Sequence, residues 1–325
     1  MKRMLLLAVL SSGFAAHATD GVIEINAAKV VAAGGYPYVI NLRGSYRLTG
    51  NLKQDNPTVA PAIWVQADDV TLDLNGFAVT GNNVCSATGT APNQLLSCKM
   101  SPAGYPAIMA TAASGGAASP TRVTVKNGSV SGIAGGCIYL GYDTLNNVSA
   151  GTVVNVEASH CGNGGINAAK VTNSKVTYSQ GGIEARDVLD NTVSYCVSPV
   201  QASGGVVSRN SVEFNFNSDP SASTYALEAV SAVVSGNTVS NNQSMGLGVG
   251  GTSTVIGNTL ANNLGVGLDA EQGNVRYSYG PSVVIYTQNV LYGNNNNSPL
   301  PAEQISGGPI SIPAGSNWCR SAVCP

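Results

Sequence analysis

The chain has 325 residues, 15 of them basic and 17 acidic, and only 10% of it is charged. A typical globular domain carries about 25% charged residues. So small and slightly negative a balance excludes a basic nucleic-acid footprint, and no apolar run beyond residue 18 approaches the ~20 residues of a membrane span. Gly, Ser, Thr, Asn and Val stand where long helices would use Lys, Glu and Leu, so stacked strands with tight turns are expected.

Residues 1–18 read as a secretory signal peptide. Lys2 and Arg3 supply the positive start, Met4 to Leu10 the apolar stretch, and Ala16-His17-Ala18 the small-residue cleavage site. Removing Lys2 and Arg3 leaves 13 basic against 17 acidic residues, a net charge of -4. No cysteine adjoins the cleavage site, so a lipid anchor is not expected. The mature protein is expected to be soluble and exported, secreted or periplasmic.

Residues 19–60 read as an N-terminal cap with the first coil. The stretch from Ala27 to Ala33 suits a short helix, and Val39 to Leu42 and Tyr46 to Leu48 suit strands. A solenoid needs such a cap because its open end exposes unpaired backbone and core.

Residues 61–294 carry the repeats. In Asp69-Val-Thr-Leu-Asp-Leu-Asn-Gly-Phe-Ala-Val-Thr-Gly81, Val70, Leu72 and Leu74 alternate with Thr71 and Asp73, the period of a strand with one buried face. Asn75-Gly76 ordinarily marks a hairpin. A hairpin is rejected because the unit recurs around Asn127, Asn191, Asn210, Asn237, Asn258 and Asn289. Repeats of roughly 20 residues mean a solenoid. Asn is expected at these bends in the left-handed conformation, with its amides bonded to one another from coil to coil.

A second recurrent unit places two small residues before an aliphatic anchor. It runs through Ile63, Ile108, Ile138, Ile166, Ile183, Val200, Leu227, Leu247 and Leu268, with Ile310 as a further anchor. Gly236-Asn-Thr-Val-Ser-Asn-Asn and Gly257-Asn-Thr-Leu-Ala-Asn-Asn are the clearest pair of coils. The expected fold is all-β, a single-stranded right-handed parallel β-helix of about ten coils with N- and C-terminal caps. At ~4.8 Å per coil its shaft is roughly 45–50 Å long. Irregular insertions interrupt it at 82–105, 214–224 and 272–282, and residues 295–325 form a C-terminal coil and tail.

On Val70-Thr-Leu-Asp-Leu-Asn-Gly76 and the two Gly-Asn-Thr-(Val/Leu)-x-Asn-Asn segments, the chain resembles the secreted bacterial right-handed parallel β-helix repeat proteins of the pectate-lyase-like superfamily. The resemblance covers nearly the whole mature chain. It implies action on acidic or neutral polysaccharides, although the superfamily also includes adhesins and viral tail spikes. The marks of its well-known enzymes are missing. Asp219-Pro220 is followed by Ser221, not the histidine of the alginate epimerases. Neither the Asn-Thr-Asp, Asp-Asp and Gly-His-Gly elements of polygalacturonases, nor the pectate-lyase Trp-Ile-Asp-His, nor the pectin-esterase Gln-Asp-Thr is found.

The residue after each anchor is expected to face outward: Trp64, Met109, Tyr139, Asn167, Glu184, Gln201, Glu228, Gly248 and Asp269. The next residue, always small or apolar from Val65 to Ala270, faces inward. Trp64, Tyr139, Asn167 and Gln201 are candidate carbohydrate contacts, since aromatic faces stack on sugars and amides grip hydroxyls. Glu184, Glu228 and Asp269 are candidate catalytic carboxylates, with Arg186 as base or counter-charge. They stand two coils apart, ~9.6 Å, at the upper edge of the ~6.5–9.5 Å used by inverting glycosidases.

Three readings of function compete: a protein that engages an extracellular or envelope polysaccharide along this file, a polysaccharide lyase or inverting glycoside hydrolase, and a structural or adhesion module. A solenoid must place some polar residue at each outward position, which favours a solvated face over catalysis, since fold does not fix function. No cofactor is expected. Asp68, Asp69 and Asp73 fit a turn and an exposed strand position better than a calcium site, and His160 fits a turn. Cys85 with Cys98, and Cys319 with Cys324, are expected disulfides of an oxidising compartment. Pairing among Cys137, Cys161 and Cys196 and the oligomeric state are not legible.

Overall fold

The computed structural model describes residues 21–54, 60–89, 94–99, 104–112, 119–143, 148–217, 224–270, 283–295, 304–307, 311–319 and 322–324. The expected signal peptide lies outside them, as do Ile310 and the whole 272–282 insertion. The fold is a parallel β-helix of three sheets. In the first sheet, Tyr38–Ile40, Ile63–Val65, Ile108–Ala110, Ile138–Tyr139 and Ile166–Thr172 follow one another in parallel register. Gly181–Leu189, Ser198–Ser203, Tyr225–Val230, Met245–Gly250, Leu268–Asp269 and Ile305–Ser306 complete it. Ile305, not Ile310, therefore follows Leu268 in the anchor file.

The second sheet begins with Val22–Ile25, Gly44–Leu48 and Val70–Asp73 and ends with Ser311–Pro313. The third runs from Leu52–Lys53 and Ala78–Thr80 to Asn317–Cys319. Val70–Asp73 pairs with Gly44–Leu48 on one side and Thr124–Ser131 on the other, so Asn75-Gly76 turns a corner between sheets and not a hairpin. Parallel crossovers of this kind take the right hand. At the N-terminus the short helix is Ala27–Ala32, and the Asn26 side chain caps it by accepting from Lys29 N.

Anchors and alternate residues fill a continuous core. Ile63, Ile108, Leu227, Leu247 and Leu268 are fully buried, and Ala168, Ala229, Val249 and Ala270 stand beside them without exposure. The small residues before each anchor have a steric cause. A Cβ on Gly182 would lie 1.8 Å from Pro199 O, and one on Gly165 would lie 2.3 Å from Gly182 O. Both obstacles are backbone of the next coil, which cannot rotate away. Gly182→Ala is accordingly expected to destabilise the protein by about 3 kcal/mol, the upper range for overpacking. A urea-unfolding midpoint measures it.

Asparagine does stack from coil to coil, but not in the expected conformation. Asn75 and Asn127 are left-handed, with φ of 52° and 58°. At the later bends the left-handed residue is the one before: Asp190, Arg209, Gly236, Gly257 and Gln288. The following Asn turns inward instead. Asn191, Asn210, Asn237, Asn258, Asn289 and Asn317 form one buried ladder, each Nδ2 donating to the next Oδ1 at 2.9–3.1 Å. Asn215, Asn242, Asn263, Asn294 and Gln304 form a second, at 2.8–2.9 Å. Asn294 is thus a buried rung, without exposure.

Both expected disulfides are present, and a third joins Cys137 to Cys161 on adjacent coils. Cys196 is the free thiol and is buried. It occupies a rung of the second ladder, where its backbone N donates to Asn215 Oδ1 at 2.9 Å. Burial pushes its thiol up to about 12, despite a backbone hydrogen bond from Ser179 that favours the thiolate. Ellman's reagent at pH 8 should therefore label no thiol in the folded protein and one per chain after unfolding without reductant.

Candidate functional site: a cleft on the first sheet

The register of the first sheet places the predicted outward residues in one file. Trp64 lies beside Met109, Met109 beside Tyr139, Tyr139 beside Asn167, and Asn167 beside Glu184. Gln201, Glu228, Gly248 and Asp269 continue it. The file is continuous, yet its surroundings change along its length.

In its middle the file forms one side of a cleft of about 390 Å³. Tyr139, Asn167, Glu184 and Gln201 line it together with Asn163, Gln180 and Ser198. Gly136, Gly164 and Gly181 belong to the same lining. Nothing lies within 4 Å of a Cβ built on Gly164, so the cleft is open there because the sequence supplies no side chain. Gly104 and Pro106 also line it. Gly104 lies near the end of the 82–105 insertion and Pro106 directly follows it; the insertion holds an antiparallel hairpin of Cys85–Thr88 and Leu95–Cys98. Its disulfide joins the directly opposed Cys85 and Cys98. Asn83 Nδ2 ties the base of the hairpin to the carbonyls of Ile133 and His160, both at 3.1 Å, and Gln180 Nε2 donates to Leu96 O at 3.4 Å. The hairpin is thereby held across several coils beside the cleft.

Toward the C-terminus the file is covered. Glu228 and Asp269 are 9% and 4% exposed, whereas Glu184 is exposed. The Tyr225 ring lies on Gly248, where a Cβ would meet ring carbons at 2.5–2.6 Å. Its hydroxyl donates to Asp269 Oδ2 at 2.6 Å. The three predicted carboxylates therefore share a file but not an open groove. Glu184 stands in the cleft without a protein partner among the described residues, while Asp269 is engaged by Tyr225 beneath a ring.

The other sequence candidates separate likewise. Trp64 lies at the N-terminal end of the file, half-buried, its Nε1 donating to Thr111 O and Oγ1 at 3.1 Å. Arg186 is not in the cleft lining; its guanidinium pairs with Asp187 at 2.7 Å. His160 occupies a left-handed turn, with φ of 56°. Its ring begins an aromatic stack with Tyr178, Tyr195 and Phe214, at centroid spacings of 5.6, 4.8 and 6.0 Å. Each inner ring gives its faces to neighbouring rings, so the stack serves cohesion of the coils. Asp69 is held below the usual carboxylate range by its hydrogen bond to Arg122, and Asp68 accepts from Thr121 N at 2.7 Å. Asp73 Oδ1 accepts from Asn75 N at 2.8 Å. Among the described residues no group of three or more His, Cys, Asp or Glu side chains is placed to hold a metal ion.

A second groove, about 470 Å³, runs between the second and third sheets along Asn127, Asn155, Asn173 and Asp190. It offers no aromatic side chain. Its charges are already committed, Lys175 to Glu157 at 3.1 Å and Asp190 to Arg209 at 2.7 Å. Sequence reading missed Asn163, Gln180 and Ser198 of the first cleft. Their signal was the recurrent small pair before each anchor, since those three lie at or next to that pair.

No protein-family profile and no curated protein matches this sequence. Among solved structures, the A-module of the mannuronan C-5 epimerase AlgE6 of Azotobacter vinelandii is similar over 91% of this chain and 93% of its own, with a TM-score of 0.44 and 13% identity. The periplasmic alginate epimerase AlgG is similar over 93% of this chain and 84% of its own, with a TM-score of 0.34 and 11% identity. ORF18 of Geobacillus virus E2 is similar over 87% of this chain, which spans 54% of that protein's length, with a TM-score of 0.40 and 12% identity. At such identities the likeness concerns the fold alone.

Proposed function

We propose that this is an exported β-helix protein that binds a polysaccharide of the cell envelope or its surroundings in the cleft on the first sheet. The observation that carries the reading is the cleft's lining: a phenol, several amides, one hydroxyl and one carboxylate around a glycine floor, in a volume of about 390 Å³. Sites of ~300–1,000 Å³ with a few convergent polar groups are usual for small ligands and chain segments. Tyr139 offers an apolar face, and Asn163, Asn167 and Gln201 carry amide donors and acceptors of the kind that match sugar hydroxyls. Three disulfides suit a compartment outside the cytoplasm.

Binding is favoured over hydrolysis because, among the described residues, Glu184 is the one carboxylate lining the cleft. An inverting mechanism needs a second carboxylate on the opposite side of the scissile bond, and Glu228 and Asp269 lie buried further along the file. A glycan array probed with the wild type and with Tyr139→Ala plus Gln201→Ala tests the reading. Specific glycan binding weakened at least tenfold by the double substitution is expected. No bound glycan, or binding unchanged in the variant, removes it.

A further inference from the structure

Resting on the glycan-binding reading of this cleft, we infer that its ligand is a neutral glycan and not a polyuronate. Among the described residues the cleft lining contains one ionisable carboxylate, Glu184, and no Lys, Arg or His. The cations of the same coils are directed elsewhere. Arg186 pairs with Asp187 at 2.7 Å. Lys170 stands on the second sheet, in register with Asp187. Lys175 pairs with Glu157 on the third sheet at 3.1 Å. His160 is stacked on Tyr178.

A uronate repeats a carboxylate on every sugar ring. Seated along Tyr139, Asn167, Glu184 and Gln201, such a chain would bring like charge onto Glu184 with no guanidinium or ammonium to offset it. Burying or crowding an unpaired charge is costly. The amides and the phenol, in contrast, match uncharged hydroxyls, and an ionised Glu184 accepts hydrogen bonds from them. A neutral hexose chain meets every lining group with a partner of the correct kind.

The test uses matched oligosaccharides that differ only in oxidation at C6: gluco-, manno- and galacto-tetraoses against the corresponding uronate tetramers. Affinities are measured by calorimetry at low and at moderate salt for the full mature chain, for Glu184→Gln and for Gly164→Trp. Gly164→Trp extends into the cleft from a Cβ position with nothing within 4 Å and marks cleft binding. The expected result is a neutral tetraose bound at least tenfold more tightly than its uronate partner, with that binding lost in Gly164→Trp. Glu184→Gln should narrow the preference by severalfold, and added salt should narrow it in the wild type. Uronate binding equal to or tighter than neutral binding, and lost in Gly164→Trp, overturns the inference and leaves the cleft as a glycan site. Absence of any binding sensitive to Gly164→Trp overturns the glycan reading itself, and the inference with it.

Discussion

Replacing Asn263 with leucine is expected to lower stability by about 3 kcal/mol, while Asn262→Gly, one residue away, changes it by less than about 0.5 kcal/mol. Asn263 is a rung of the second ladder and only 1% exposed. Its Oδ1 accepts from Asn242 N at 3.2 Å and from Asn242 Nδ2 at 2.8 Å. Its Nδ2 donates to Val239 O and to Asn294 Oδ1, both at 2.9 Å. Leucine has similar bulk and none of these bonds. It would leave the Asn242 N–H without its acceptor inside the shaft, and a buried orphan of this kind costs about 1–3 kcal/mol before the lost amide contacts are added. Asn262 differs in every respect. It is exposed, with φ of 53°, and glycine adopts that conformation without strain. Urea unfolding of both variants measures the contrast. Equal midpoints would mean that the ladder contributes little to cohesion.

Gly164→Trp is expected to abolish glycan binding, with at least a 100-fold loss, about 2.7 kcal/mol, and to leave the unfolding midpoint within about 0.5 kcal/mol of wild type. The position is unusual among glycines of this chain. Gly165, its neighbour, cannot take a side chain because Gly182 O lies 2.3 Å from the Cβ position. Gly164 has open space there and lines the cleft. An indole at that point occupies the volume between Tyr139 and Glu184 that a sugar ring would need. Gly164→Ala adds one methyl group and should weaken binding by less than tenfold. A large stability loss in Gly164→Trp would show that the floor is packed and the cleft closed.

Much of the fold was legible because a solenoid writes the same local pattern many times. The alternation around Val70, the small pairs before Ile166 and Ile183, and the inward alanines at 168, 185 and 202 each recur once per coil. Repetition turned weak local signals into a register, and the register set Tyr139, Asn167, Glu184 and Gln201 in file. The bends at Asn191, Asn210, Asn237, Asn258 and Asn289 were misplaced by one residue, since the left-handed conformation falls on the residue before each. Pairs of identical residues show how little composition says about which of two neighbours takes it. In Asn241-Asn242 and Asn262-Asn263 the first residue is left-handed and exposed and the second is a buried rung. Composition alone does not separate them. The bond between Cys137 and Cys161 was illegible for a related reason, since it depends on which turn lies above which anchor.

The candidate site was legible as a file but not as a cleft. Whether an outward residue meets solvent depends on side chains from other positions, such as Tyr225 over Gly248, and on excursions such as the Cys85–Cys98 hairpin. Neither follows from the repeat, because both belong to its interruptions. For the same reason Glu184, Glu228 and Asp269, equivalent by period, differ in exposure.

A crystal structure of the mature protein soaked with the tetraose it binds best is the most direct measurement. The expected result is one sugar ring against Tyr139, with hydroxyls bonded to Asn167, Glu184 and Gln201. A ligand seated in the groove along Asn127, Asn155 and Asp190, with the first-sheet cleft empty, would contradict it.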